Sequence, residues 1–141
     1  MTTETKGIPD SAVVTFPEGV PGFEDSKRFV ILRPENLAPV LMLQDLDHAE
    51  VSLPVIPAEA VDQGYRLELG EDDRRVLALT GEPVPGRNVL CLAVLILAGA
   101  KSPPSCNLLA PIVINPASMI GKQVVQVSSS YLPVYPLAGE P

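Results

Sequence analysis

The single histidine of the chain, His48, is the first residue to test for chemistry, because it lies among the acids Asp45, Asp47 and Glu50. A histidine flanked by carboxylates could belong to a Ser/His/Asp triad or to a zinc site. Zinc needs three or four ligands, however, and no cysteine or second histidine stands at ligand spacing. The three acids also lack the glycine and the terminal bidentate glutamate of a calcium loop. We therefore predict that these residues form a solvated polar turn.

The two cysteines, Cys91 and Cys106, are the next candidates for chemistry. A nucleophilic thiol needs a nearby base or cationic group, and the residues around Cys106 supply neither. The two cysteines could form a disulfide, but Cys91 lies in an apolar run and nothing indicates export, so free thiols are favoured.

The adjacent acids Asp72 and Asp73 would project in different directions, which favours a helix start over an acid/base pair. No glycine-rich phosphate loop is present. The sequence predicts no enzyme, no metal site and no cofactor.

Net charge restricts the class of partner. The chain has a formal charge of −7, and residues 1–82 hold sixteen acids and seven bases, whereas residues 83–141 hold one acid and three bases. An acidic surface repels phosphate and attracts basic partners, so direct nucleic-acid binding is not expected.

The first residues form no apolar leader, which favours the cytoplasm. The longest apolar run, Val89–Ala100, is well short of the roughly 20 residues that span a bilayer, so we expect no membrane insertion.

The elements that must position these residues are short. Sixteen prolines among 141 residues interrupt long helices, and alternating apolar residues favour strands. Strands are predicted over residues 12–16, 28–33, 40–44, 51–56, 65–69, 88–98, 108–114 and 122–127, with one short helix after Glu71. Residues 88–98 are apolar on both faces, so we expect their outer face to be covered. The prediction is a mostly β, single-domain fold, a partly closed barrel spanning residues 11–137, between a disordered N-terminus (1–10) and a frayed tail (138–141).

Three stretches resemble a known family when taken together. Phe16 to Asp25 reads FPEGVPGFED, residues 107–115 read NLLAPIVIN, and Gly121 to Val125 reads GKQVV. Any one of these stretches alone is weak, but their order and spacing resemble the flagellar assembly factor FliW. The likeness extends from about residue 12 to residue 137.

The resemblance implies a β-barrel-like domain without enzymatic activity that binds two proteins in turn, and we expect a monomer. One is newly made flagellin, and the other is the translational regulator CsrA. Members of the family, when free of flagellin, bind CsrA and relieve its repression of flagellin mRNA. The acidic half of the chain suits a basic, RNA-binding partner.

Candidate contact residues follow from exposure expected at turns and edges, since the family motifs themselves consist of turn and core residues. For a basic partner we predict Gln44, Asp45, Asp47, Glu68, Asp72 and Asp73. For an amphipathic helical segment of flagellin we predict an exposed groove near Leu53, Val55 and Leu67. Two alternatives from other classes remain: a small β-barrel enzyme or ligand-binding domain with a deep polar pocket, and a structural subunit that covers its apolar strand in an oligomer.

Overall fold

The computed structural model describes residues 12–97, 104–127 and 129–137. The described residues form eight strands and two short helices: β1 (Val13–Thr15), β2 (Arg28–Leu32), β3 (Leu41–Asp45), β4 (Ser52–Pro57), α1 (Ala58–Val61), α2 (Glu71–Leu77), β5 (Leu90–Ile96), β6 (Ser105–Asn115), β7 (Ile120–Gln123) and β8 (Tyr135–Pro136). The predicted disordered N-terminus (1–10) and frayed tail (138–141) lie outside the described residues.

The strands close into a barrel. Seven of them follow the order β5-β4-β3-β2-β1-β7-β6, and β5 also pairs with β6, which joins the two ends of the sheet. Every pairing is antiparallel except that of β1 with β7. Strand β8 adds to β6 at Ser105 and Cys106. The mostly β barrel prediction is confirmed, with closure complete instead of partial and two short helices instead of one.

Apolar side chains fill the barrel interior. Alternate residues of each strand point inward, as the burial pattern of β3 shows, with Leu41, Leu43 and Asp45 buried and the residues between them half-buried. The interior cluster consists of Val14, Phe16, Val20, Phe29, Ile31, Leu41, Leu43, Val55, Leu90, Leu92, Ile112 and Ile114. The rings of Phe16 and Phe29 meet edge to face with their centroids 5.2 Å apart. Side chains fill the interior of small barrels in this way, and here they form one apolar core.

A second apolar cluster lies on the outer face of β5 and β6. It includes Cys91, Ala93, Cys106 and Val113, and it is covered by α1, α2, the extended segment 65–69 and the last described residues, among them Tyr131 and Tyr135. The apolar character of β5 on both faces therefore has the predicted cause: one face lines the barrel and the other is covered by other parts of the chain.

The prediction of a β-strand at residues 65–69 is wrong. The segment is extended and alternates buried and exposed residues, but it joins no sheet. Its backbone is held by side chains: Gln126 Oε1 accepts from the Glu68 amide at 2.8 Å, and Gln126 Nε2 donates to the Glu68 carbonyl at 2.9 Å. The Tyr131 hydroxyl accepts from the amide of Arg66 at 2.8 Å. Period-two alternation detects an extended, half-buried segment, but it does not reveal what supplies the hydrogen bonds.

The NLLAPIVIN motif forms an irregular section of β6. Leu92 is opposite Ile112 and Val94 is opposite Asn107, so a single residue of β5 spans four residues of β6. The Asn107 Oδ1 atom accepts from the amides of Leu109 and Ala110, both at 3.0 Å, and thereby satisfies donors that the bulge removes from the ladder. The motif's first asparagine is therefore a backbone-shaping residue.

The second asparagine of the motif joins the barrel to α2. Asn115 is buried, and its Nδ2 donates to the carbonyl of Leu77 at 2.8 Å, at the end of the helix. Its Oδ1 accepts from the Ala117 amide at 3.0 Å. Carbonyls at a helix C-terminus lack partners within the helix, so this amide supplies one.

Two glycines are required by close contacts. Gly19 has a φ of +72°, and a Cβ there would lie 2.4 Å from the carbonyl oxygen of Glu24. A Cβ on Gly121 would lie 2.6 Å from the ring of Phe16. The motif glycines thus let the 16–25 turn and β7 pack against the barrel core.

Candidate protein-binding site

The cluster around His48 is a turn, stabilised by a buried carboxylate. Asp45 is only 2% exposed because it follows Leu41 and Leu43 on the inward-facing side of β3. Its Oδ1 accepts from the amides of Asp47 (2.7 Å) and His48 (3.1 Å), and its Oδ2 lies 3.1 Å from the His48 Nδ1. The predicted solvated turn is therefore wrong for Asp45, which closes one end of the barrel.

These bonds shift the acidities in opposite directions. The hydrogen bond to Asp45 raises the pKa of His48 above its ordinary 6.5. Burial alone would raise the pKa of Asp45, but hydrogen bonds from the Ser26 side chain, His48 and the two amides lower it below 3.8. The carboxylate thus lies between the hydroxyl and the imidazole. A catalytic triad places the imidazole between the other two groups, so this arrangement cannot activate Ser26.

The cysteines are buried, free and unreactive in character. Cys91 is paired in register with Val113, and Cys106 with Leu95, so the two thiols are not opposite each other. Burial raises the pKa of Cys106 to about 11 and raises that of Cys91 further. An activated nucleophilic thiol requires the opposite shift. Across the described ranges, no group of three or more His, Cys, Asp or Glu side chains is placed to hold a metal ion.

The predicted apolar groove is not formed. Leu53 and Val55 pair with Leu43 and Leu41, so they share the inward-facing side of the barrel, and Val55 is fully buried. Leu67 belongs to the second cluster, on the outer face. A sequence pattern identifies which residues share a face, but not which face the barrel encloses.

Several of the predicted polar contacts already have partners within the chain. The Nε2 of Gln44 donates to the carbonyls of Asp45, Ala49 and Val51 at 3.0–3.2 Å. The two carboxylate oxygens of Asp47 accept from Arg28 at 2.7 and 3.1 Å, which raises the pKa of Arg28 and lowers that of Asp47. These bonds fix the turn between β3 and β4.

The remaining three predicted acids lie on or beside α2. Asp73 accepts from the Gly70 amide at 3.3 Å and lies 3.4 Å from Lys122, so it caps the helix and joins it to β7. Lys122 also pairs with Glu18 at 2.9 Å; burial alone would lower its pKa, but the two acids raise it. Asp72 is exposed and pairs with Arg75. Glu68 is exposed, and only its backbone is held.

The structure brings Glu68 and Asp73 together at one surface cleft. The cleft has a volume of about 340 Å³ and is also lined by Leu69, Val125 and Val127. The two valines are 55% and 87% exposed. Sequence reasoning placed them in a strand and gave no signal of their exposure, because alternation in the residues VVQV (124–127) predicts an exposed Gln126 between two buried valines, the reverse of the structure. An acidic and apolar cleft is suited to a peptide with both aliphatic and basic side chains.

The fold and the cleft define a class: a small closed β-barrel protein with an apolar interior and an acidic, partly apolar cleft on its outer surface. Within the described residues, none of the helices has both the length and the apolar character needed to span a bilayer.

Comparison with known proteins identifies the family. The model of the family described as "FliW protein" matches residues 2–137. The flagellar assembly factor FliW of Thermosipho africanus is 32% identical over 125 residues, which cover 88% of this chain and 83% of the relative. That of Bacillus subtilis is 30% identical over 133 residues, with 94% and 90% covered. A crystal structure of the flagellar assembly factor FliW superimposes with a TM-score of 0.80 at 29% identity, covering 99% of both chains. The chain belongs to the FliW family of flagellar assembly factors.

Proposed function

We propose that this chain is a non-enzymatic, monomeric switch protein that acts in the cytoplasm and binds two proteins in turn. In the proposed cycle it binds newly made flagellin, and when free of flagellin it binds the translational regulator CsrA. Binding of CsrA relieves the repression of flagellin mRNA. Accumulating flagellin then occupies the protein again, which couples the supply of filament subunits to their demand.

The observation that carries this proposal is membership of the FliW family over almost the whole chain, residues 2–137. Two features of the molecule support it. The groups tested for catalysis are held in structural bonds or buried with raised pKa values, as described for Asp45, His48 and Cys106. The formal charge of −7 suits a basic, RNA-binding partner.

The test is retention of each tagged cognate partner by the purified protein. We expect flagellin and CsrA each to be retained at micromolar concentration, with flagellin displacing CsrA when added in excess. In the same assay, this protein should release CsrA from flagellin mRNA. Added flagellin should then free CsrA from this protein, so that CsrA binds the mRNA again. Retention of neither partner would count against the proposed function. A solution mass above that of one 15.0 kDa chain would contradict the monomer.

A further inference from the structure

Residues 124–126 form an extended segment, and Val127 follows it inside a turn that the Ser129 amide closes on the Gln126 carbonyl at 3.3 Å. The side chains of Val124 and Gln126 are 2% and 1% exposed, whereas those of Val125 and Val127 are 55% and 87% exposed. Two neighbouring exposed valines on one side of a strand-like segment are unusual, because β-branched residues stabilise sheets mainly when they pack. We call the side chains of Val125 and Val127, with the backbone amide of Val125, the valine edge.

The backbone of this segment pairs on one side only. The amides of Val124 and Gln126 donate to the carbonyls of Pro111 (2.9 Å) and Leu109 (2.7 Å), which continues the pairing of β7 along β6. In an extended chain the intervening amides face the opposite way. In the part of the chain that the structure describes, the amide of Val125 has no acceptor. Such an edge is a template for another strand unless charges or prolines protect it, and the valines do not.

Charge beside the valine edge favours a basic occupant. Glu68 and Asp73 line the same cleft, and Glu71 and Asp72 are exposed on the first turn of α2. Lys122 and Arg75 pair with Asp73 and Asp72, and Arg66 and Arg74 line a neighbouring cleft with Glu68, so part of this charge is offset. Within the described ranges, however, the carboxylate of Glu68 has no ion-pair partner and is left to meet a cation of the occupant. A second copy of this chain would bring another molecule of charge −7 against these acids, so self-association along this edge is disfavoured.

We propose that the valine edge is the docking site for an extended segment of a basic protein partner, which adds as a strand. Its alternate aliphatic side chains cover Val125 and Val127, and a lysine or arginine between them reaches the carboxylate of Glu68. This assignment rests on the proposed function, in which the basic partner is the RNA-binding regulator CsrA.

The test measures affinity for purified cognate CsrA and, separately, for cognate flagellin. Val125→Thr/Val127→Thr keeps shape and β propensity but removes apolar surface, and Val125→Pro removes the outward amide without touching a hydrogen bond to β6. We expect each to weaken CsrA binding by about tenfold, within the range of interface hot spots. Glu68→Gln should weaken CsrA binding by about two- to fivefold, and less at high salt. The matched control is Val134→Thr, since Val134 is 58% exposed elsewhere on the surface.

The outcomes separate this inference from the proposed function. Wild-type protein that binds neither partner refutes the function itself. Wild-type protein that binds CsrA, with unchanged affinity in the folded Thr/Thr variant, overturns the valine edge and leaves the function standing. An equal loss of flagellin binding would overturn the assignment of this edge to the basic partner, and so would a larger effect of Val134→Thr. Thermal midpoints of all variants should lie close to that of the wild type, because the altered groups are exposed.

Discussion

At the scale of single residues, the two asparagines of the NLLAPIVIN motif act on the backbone. Asn107 satisfies two amides of the bulge, and Asn115 satisfies a carbonyl at the end of α2. Asn107 acts through its amide oxygen alone, whereas Asn115 uses both its amide nitrogen and its amide oxygen. The most recognisable part of the sequence therefore preserves the fold, and partner contacts are expected elsewhere.

Replacing either asparagine by alanine should destabilise the protein. Asn107→Ala and Asn115→Ala each leave buried or half-buried backbone groups without partners, which costs about 1–3 kcal/mol. Urea denaturation followed by circular dichroism would measure the free energy of unfolding. Asn88→Ala is the matched control: it also removes hydrogen bonds to the backbone, to Val84 and Glu82, but at an exposed site. An equal loss in the control would contradict the assigned role.

The Asp45–His48 pair predicts a pH-dependent stability. The pKa of His48 is raised in the folded protein, so the stabilisation is fully present below its ordinary 6.5 and is lost as the pH rises through the raised value. The His48→Gln variant should therefore lower the thermal midpoint more at about pH 5.5 than at about pH 8.5. The Asp45 carboxylate has the opposite pH dependence. Its pKa is lowered in the folded protein, so its contribution to stability is present above its ordinary 3.8 and is lost as the pH falls through the lowered value.

The Arg28→Gln variant is the control for this pH effect. It removes an exposed ion pair whose members do not titrate between the two pH values, since the pKa of Arg28 is raised and that of Asp47 is lowered. Its shift in thermal midpoint should be the same at both pH values. A His48→Gln effect that is equally independent of pH would show that the imidazole is not protonated in the turn.

At the scale of elements, the segment 65–69 depends on one side chain. Gln126 is 1% exposed, and it binds both the amide and the carbonyl of Glu68. Gln126→Ala should reduce the free energy of unfolding by about 2–3 kcal/mol, because two buried bonds and the packing of the side chain are lost. Hydrogen exchange of the Glu68 amide should speed up by more than the global loss of stability explains. Gln123→Ala, which removes a single bond to Ala110, is the control.

Most strands could be predicted, because each depends on local alternation of apolar residues. The regions around residues 28–32 and 41–45 are examples, with bounds that differ by a residue. What could not be predicted depends on distant parts of the chain. Segment 65–69 is held by residues 126 and 131, and Asp45 is buried because its position in β3 faces the end of a closed barrel. The candidate site was predicted only in part: Glu68 and Asp73 were named, whereas Val125 and Val127 were not, because alternation in 124–127 favours burial of these valines.

At the scale of the whole molecule, the uneven charge should govern how quickly a basic partner associates. Glu71→Lys/Asp72→Lys reverses two exposed acids and leaves Asp73, which caps α2, in place. The association rate with CsrA should fall by about tenfold at low ionic strength and by much less at high salt, where charges are screened. Stopped-flow or surface-based kinetics at two salt concentrations would measure this difference.

The control for the charge reversal is Glu35→Lys/Glu50→Lys, since both residues are exposed and lie in other loops. Its effect on the association rate should be smaller, because the reversed charges are not beside the cleft. A loss that is the same at low and high salt in the Glu71→Lys/Asp72→Lys protein would indicate misfolding instead of altered steering.

The closure of the barrel by β5 with β6, together with the pairing of β1 with β7, has a consequence for synthesis on the ribosome. The first strand finds its parallel neighbour only after Ile120 has been made, and the interior is sealed only after residues 112–114 have emerged. A nascent chain therefore carries unpaired strand edges until residues 112–120 have left the exit tunnel, and such long-range pairing slows folding.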